Sequence, residues 1–302
     1  MKLHGVIELT VDGEPVLRAP NLWDKVREVF GGVPDLRTGK LLAALEATAI
    51  VEAGRGAMKR VGSSNAISLV IDDQVLYQDR EGRPDDFGDL FLAFHENAPV
   101  FGGSFRLLRL AAEHEEAGLH LVVETIARTE HPREEPAARV IVSGRVRDFE
   151  PRPGEDAEAY QRRVAPLVAD RERLEAVRRQ FESFVARLGD ALRGAMPAAR
   201  IDVLEAEARI EKPARRATPP APPTSRRYDP YAYHYGTPLD AVASLLLWST
   251  VFSMGHHHDT VIVDPDSDYD TGPDPDSGDA GEVGEVGDGG GDLDFGDFGG
   301  DF

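Results

Sequence analysis

Residues 105–149, FRLLRLAAEHEEAGLHLVVETIARTEHPREEPAARVIVSGRVRDF, decide the fold class. Three runs rich in Val, Ile and Leu, Phe105–Glu113, Leu119–Thr129 and Ala138–Phe149, are separated by Glu-Glu-Ala-Gly and by a proline-bearing loop. Parallel strands need a crossover of a dozen or more residues, so connections this short predict an antiparallel meander.

Downstream, residues 155–193 carry a helical pattern in which Pro166 either kinks the helix or starts its main segment. Leu167, Leu174, Val177, Phe181, Phe184 and Leu188 form one stripe along it. The stripe spans too few heptads for a coiled-coil seam and predicts the face that a helix lays on a sheet. Arg200–Glu211 alternates again and is expected to return as a last strand.

Upstream, the alternating residues after Met1 lack the apolar core and cleavage site of an export signal and read as a strand. Asp12-Gly13 between Val6–Val11 and Pro15–Leu17 predicts a hairpin. Asn21 is placed to cap a helix carrying Leu22, Val26, Val29 and Phe30. A second helix follows Thr38 through Leu41, Leu42, Leu45, Ala49 and Ile50, with Gly54 as its expected end. Ile67–Ile71 and Val75–Tyr77 predict a hairpin about Asp72-Asp73, and Asp86 a short helix through Leu90, Phe91 and Phe94. The expected architecture is therefore α+β: an antiparallel sheet with helices packed on one face, followed by a linker, one apolar helix and a disordered acidic tail. The expected boundaries are residues 1–212 for the globular domain, 213–227 for the linker, 228–263 for a tyrosine-rich segment with a docking helix, and 264–302 for the tail.

Charge separates these parts. The 302-residue chain has 34 Lys and Arg against 54 Asp and Glu, a net charge of −20. From Tyr228 onward there are 17 acidic and no basic side chains, which leaves 34 basic and 37 acidic groups in the first 227 residues. Such a chain has no broad basic surface to displace the counterions of a nucleic acid, and direct nucleic-acid binding is not expected. Cysteine is absent, which removes disulfides, thiolate metal sites and cysteine nucleophiles and fits a reducing cytoplasm.

Pro213–Arg227 holds five prolines and four arginines, a composition suited to an extended linker. Tyr228, Tyr231, Tyr233 and Tyr235 follow, then the apolar stretch Leu239–Met254. As a helix its 16 residues reach about 24 Å, short of a hydrocarbon core of about 30 Å. It reads as a docking helix that buries Leu245, Leu246, Leu247, Trp248, Val251 and Phe252 on its own domain or on a second copy. The alternative is a membrane-surface segment with the tyrosines as anchors and Arg215, Arg216, Arg226 and Arg227 against anionic headgroups. The expected location is cytoplasmic, with peripheral membrane contact under that alternative. From Asp264 onward Asp, Gly, Pro and Ser dominate, too little apolar surface to offset the entropy of ordering.

Candidates for chemistry are few. His256, His257, His258 and Asp259 are metal-ligating types, the one place where a divalent cofactor is considered, although adjacent side chains diverge and seldom meet on one ion. Asp264, Asp266, Asp268 and Asp270 alternate like calcium ligands, but the EF-hand register fails at Asp279, where glycine is required. Gly54-Arg-Gly56-Ala-Met-Lys59 lacks the ending of a phosphate-binding loop and reads as a helix cap and turn. His95-Glu96, His114 and His120 accompany no serine elbow and no His-Glu-x-x-His helix; His114 and His120 flank a turn and are expected on the solvated surface.

The last ten residues, LDFGDFGGDF, set Phe295, Phe298 and Phe302 among aspartates. This tip resembles the acidic, phenylalanine-ended tail of bacterial and phage single-stranded DNA-binding proteins. The resemblance implies recruitment of a protein partner that takes the terminal ring and carboxylate in a basic-rimmed pocket. It covers the tip alone, since no oligonucleotide-binding barrel with a basic aromatic groove is recognisable upstream. The sequence thus favours a non-enzymatic binding or scaffold protein, with a membrane-surface protein or an uncharacterised hydrolase or transferase as the alternatives.

Overall fold

Alternation of apolar and polar residues in seven segments builds one antiparallel sheet in the computed structural model, which describes residues 1–11, 36–63, 65–79, 105–132, 135–211, 220–236, 238–253 and 262–263. The strands are β1 (Lys2–Val11), β2 (Asn65–Ile71), β3 (Gln74–Gln78), β4 (Leu107–Glu116), β5 (Leu119–Arg128), β6 (Ala138–Val146) and β7 (Ala199–Glu211). Their order is β3-β2-β4-β5-β6-β1-β7, and a two-residue β8 (Ile262–Val263) runs parallel to the end of β7. The meander β4-β5-β6 stands as its short connections require. The hairpin about Asp12, the helices after Asn21 and Asp86, His95-Glu96, His256–Asp259, and Phe295, Phe298 and Phe302 lie outside the described residues. Described residues all fall within the unit Met1–Asp266.

The inner face carries Leu3, Ile7 and Leu9 of β1, Leu108 and Leu110 of β4, Leu121 and Val123 of β5, and Val140 and Val142 of β6, all without exposed area. Among the described residues the α-helices are α1 (Leu36–Arg60), which lies between β1 and β2 in the chain, α2 (Ala157–Ala169) and α3 (Arg171–Ala195) between β6 and β7, and the short α4 (Pro230–Tyr235) and α5 (Pro238–Ser253) after β7. α1 packs on α3, β4 and β5, and α3 on β7 and β1. Leu174, Val177, Phe181, Phe184 and Leu188 are buried in this layer, so the stripe on α3 is a sheet-facing surface.

Three local expectations change. α1 does not stop at Gly54 but continues through Gly56 to Arg60, and it ends where Gly62 takes φ +93° and Ser63 N–H donates back to Met58 O at 3.0 Å. Gly54 serves a close approach instead: a Cβ there would lie 2.5 Å from Thr125 Oγ1 on β5. Pro166 stays inside α2, and the break falls at Asp170, whose carboxylate accepts from Arg173 N–H at 3.0 Å and so starts α3. On α5, Leu247 and Val251 are buried while Leu246 and Trp248 pack partly against the core. Leu245, expected among the docking residues, is 55% exposed. Two residues from Leu247 is about 200° around a helix, so it faces away from the buried side. The side chain of Phe252 lies outside the described residues.

Gly54→Ala would gain about 1 kcal/mol of helix propensity and lose more than that, about 1–3 kcal/mol, to overpacking against a stiff, fully buried threonine. Urea denaturation should therefore show a net loss of stability, smaller in a Thr125→Ala background. A stabilised Gly54→Ala chain would contradict this packing.

Candidate functional site

The opposite, outer face is not the ordinary polar side of a two-layer fold. It projects Arg109 and Glu113 from β4, His120 and Glu124 from β5, Ser143 and Arg145 from β6, and His4 and Glu8 from β1. Residues 220–236 cross over it as a strap. Pro222 O and Ser225 O accept turn hydrogen bonds, and Asp229 caps α4 by accepting from Ala232 N–H at 3.1 Å. Proline at the first position of α4 suits such a helix start.

At the centre, Glu124 has no exposed area and Arg109 is 5% exposed. They sit diagonally across β4 and β5, with Arg109 opposite Ile126. Arg109 Nε donates to Glu124 Oε1 at 2.6 Å and its Nη2 to Tyr228 Oη at 2.6 Å, while Tyr228 O–H donates to Glu124 Oε2 at 3.1 Å. The guanidinium carbon lies 5.3 Å from the Tyr228 ring centroid and 4.8 Å from that of Tyr233. His234 Nε2 approaches Glu124 Oε2 at 3.6 Å. Burial alone would raise the carboxyl pKa of Glu124, but His234 and Arg109 overcome it and hold the group below the usual range. Burial and the adjacent Glu124 carboxylate push the Tyr228 phenol up, so it remains a donor.

Two further fastenings flank this centre. Arg226 clasps Glu8 with both nitrogens, at 2.9 and 3.1 Å, while Arg139 meets the same carboxylate at 2.9 Å. His4 Nε2–H donates to Arg226 O at 2.8 Å. Asp229 lies 3.3 Å from Lys2 and 3.7 Å from Arg145; against the cost of burial, these cations hold its pKa at about 2. Tyr231 N–H donates to Ser143 Oγ at 2.7 Å. Arg226, placed by the membrane alternative against headgroups, is thus engaged by the sheet.

At the β4–β5 end, His120 contacts Glu113 through Nε2 and Tyr231 Oη through Nδ1 at 3.1 Å. Glu113 also accepts from Asn65 Nδ2 at 2.9 Å; the His120 hydrogen bond above all holds its carboxyl at about 2. Among the described residues, Glu113, Glu115 and His120 each offer a ligand atom within 4.8 Å of the others and form a group that could hold a metal. An open cleft of about 370 Å³ lies at the other end, lined by Asp72, Asp73, Arg106, Arg128 and Thr224 among others. Its mixed lining selects neither sign of charge.

Both turn histidines differ from expectation. His114 points inward, stacked on Phe184 at 4.5 Å, and His120 points outward under the strap; both are largely buried. Six residues apart across a two-residue turn, they fall on opposite sheet faces. Arg109, Glu113, Glu115 and Glu124 were not anticipated. A single charge inside each of the apolar runs Leu-Leu-Arg-Leu and Val-Val-Glu-Thr-Ile is the signal that points to a buried pair. In comparisons with known proteins, no family model, no curated protein and no solved structure matches this chain. Among the described residues no helix is long and apolar enough to cross a membrane.

Glu124→Ala leaves the Arg109 cation buried without its partner and should cost about 3–5 kcal/mol, whereas Tyr228→Phe, which removes one hydroxyl, should cost about 1–2 kcal/mol. Chemical denaturation at neutral pH measures both; a Glu124→Ala chain as stable as the parent would contradict the network.

Folding lowers the pKa of Glu113 from 4.5 and of Asp229 from 3.8, each to about 2. The unfolded chain therefore binds more protons than the folded one between those values. The stability they contribute is complete above the unfolded pKa and disappears as pH falls toward 2. His4, whose pKa burial lowers, adds a loss of the same sign below 6.5. The thermal midpoint should fall between pH 4.5 and 2, and less steeply in Asp229→Asn; an equal slope in the variant would refute the assignment of Asp229.

Proposed function

We propose that this chain is a non-enzymatic binding protein: the α+β unit is a mount, and the acidic C-terminal stretch recruits a protein partner through Phe295, Phe298 and Phe302. The observation that supports this reading is the fastening of the strap. A fully buried carboxylate on the sheet, an arginine of the strap that clasps Glu8 and an aspartate that caps α4 together fasten residues 226–236, the chain that leads to α5. Holding that chain is a positioning task, and it needs no turnover.

Charge gives the partner its chemistry. The 17 acidic and no basic side chains from Tyr228 onward would steer a partner with a basic surface and speed encounter with it. The spaced phenylalanines supply apolar anchors that repulsion alone lacks. α5 commits Leu247 and Val251 to the core of its own unit, which favours its role as part of the mount over insertion into a membrane surface.

Affinity capture from the native lysate compares the full chain, a chain ending at Asp264, and Phe302→Ala. The full chain should retain a partner with a basic surface, the interaction should weaken with added salt, and a synthetic peptide of residues 293–302 should compete for it. Both altered chains should lose that partner. Equal capture by the chain ending at Asp264 would remove the tail from the function.

A further inference from the structure

The hydrogen-bond directions around His120 do not close with the protein's neutral groups alone. The two-residue turn at Ala117 (φ +50°) and Gly118 (φ +82°) fixes the register of β4 and β5, so that Glu115 stands opposite His120. Glu113 follows on the same strand face, two residues along. Tyr231 Oη lies 3.0 Å from Glu150 Oε1 and 3.1 Å from His120 Nδ1. A carboxylate only accepts, so the single phenolic proton goes to Glu150, and the Nδ1–H of His120 donates to the phenol oxygen. In a neutral ring Nε2 is then a bare acceptor. It faces Glu113 Oε1, another acceptor, in direct contact. A positive charge belongs at this pair: a second proton on the ring closes the contact as it stands, and a metal cation closes it once the two atoms part to the ~3.3 Å that ligands of one tetrahedral ion keep.

We propose that Glu113, Glu115 and His120 bind a divalent transition-metal ion of the zinc class, through His120 Nε2 and one oxygen of each carboxylate. Two features favour a metal over a lone proton. The third group, Glu115, converges on the same point, with all three ligand atoms within 4.8 Å of one another. Each ligand also has its own orienting partner, as metal ligands do: Tyr231 on His120, Asn65 on Glu113 and Arg147 on Glu115. An imidazole with two carboxylates suits zinc and its neighbours; magnesium and calcium prefer more oxygens and water. Three protein ligands leave a coordination position for water or a group of a bound molecule. The proposal stands independently of the acidic tail.

Isothermal titration tests it on the full-length protein stripped with a chelator. The probe is Zn²⁺, with Mg²⁺ as the counter-probe, and a His256→Ala, His257→Ala, His258→Ala background removes the other histidine cluster. One zinc per chain should bind in that background, with Mg²⁺ far weaker. His120→Ala and Glu113→Gln should abolish it. Tyr231→Phe, which removes an orienting group and no ligand, should weaken it about 10–100-fold. Glu115→Gln alters a side chain 51% exposed, so its loss of zinc cannot be attributed to unfolding. Circular dichroism checks the remaining variants. No zinc binding in the background protein, or undiminished binding in Glu115→Gln, would overturn the site. So would an NMR signature of a doubly protonated His120 at neutral pH that zinc leaves unchanged.

Discussion

A carboxylate with no exposed surface governs this molecule. Glu124 lies in the middle strand of the β4-β5-β6 meander, flanked by Val122 and Ile126 on its own face. Removing such a charge from water costs several kcal/mol unless a counter-charge and hydrogen bonds surround it. Arg109 supplies the counter-charge from the neighbouring strand, but two sheet residues cannot close the site. Tyr228, Tyr233 and His234 complete it, and all three belong to the strap. The sheet is therefore built to be covered on both faces, by hydrocarbon on the inner side and by a charge-directed segment on the outer.

The two covers differ in kind. Inside, α1 and α3 lie against the strands through apolar contact, and Gly54 shows how close the approach is. Outside, the rings of Tyr228 and Tyr231 pack on Ile126, Ile141 and Val122, and polar, directional contacts are added to this: each of Arg226, Tyr228, Asp229 and Tyr231 has a specific partner on β1, β4, β5 or β6. Apolar packing tolerates shifts that conserve volume, whereas hydrogen-bonded charges fix one register. A segment that must be held at one place on a sheet is well served by the second kind. The imidazole of His120 belongs to both the strap contact and the glutamate pair, so a cation seated there would bear on the strap through Tyr231.

How much of this was legible in the sequence follows the same division. The meander, the stripe of α3 and the returning strand β7 could all be read, because apolar periodicity is a local signal. Gly54 reads as a helix end in sequence because glycine serves both caps and close approaches, and only the position of Thr125 reveals that the second applies here. Pro166 drew attention as a breaker while Asp170 made the break, because a capping carboxylate defines a new start more firmly than a lost hydrogen bond defines an end. Leu245 is indistinguishable from Leu247 in sequence because α5 is apolar around most of its circumference, which hides the packed face. The outer site was the least legible part. Its charges come from strands and a strap far apart in sequence, 104 residues for Glu124 and Tyr228 and 218 for Glu8 and Arg226, and their pairing depends on register and chain path. His114 and His120 looked alike beside their turn, and alternation sent one to each face.

Native-state hydrogen exchange on the unaltered chain tests most directly the idea that buried charge holds the strap to the sheet. The amides of Tyr231, bonded to Ser143 Oγ, and of Ala232, bonded to Asp229, report on the strap, and those of β5 report on the sheet. If the Glu124 network binds the two into one unit, the strap amides exchange with protection approaching that of the central strands. Exchange of Tyr231 and Ala232 at the rate of an unstructured peptide, while β5 stays protected, would contradict the account.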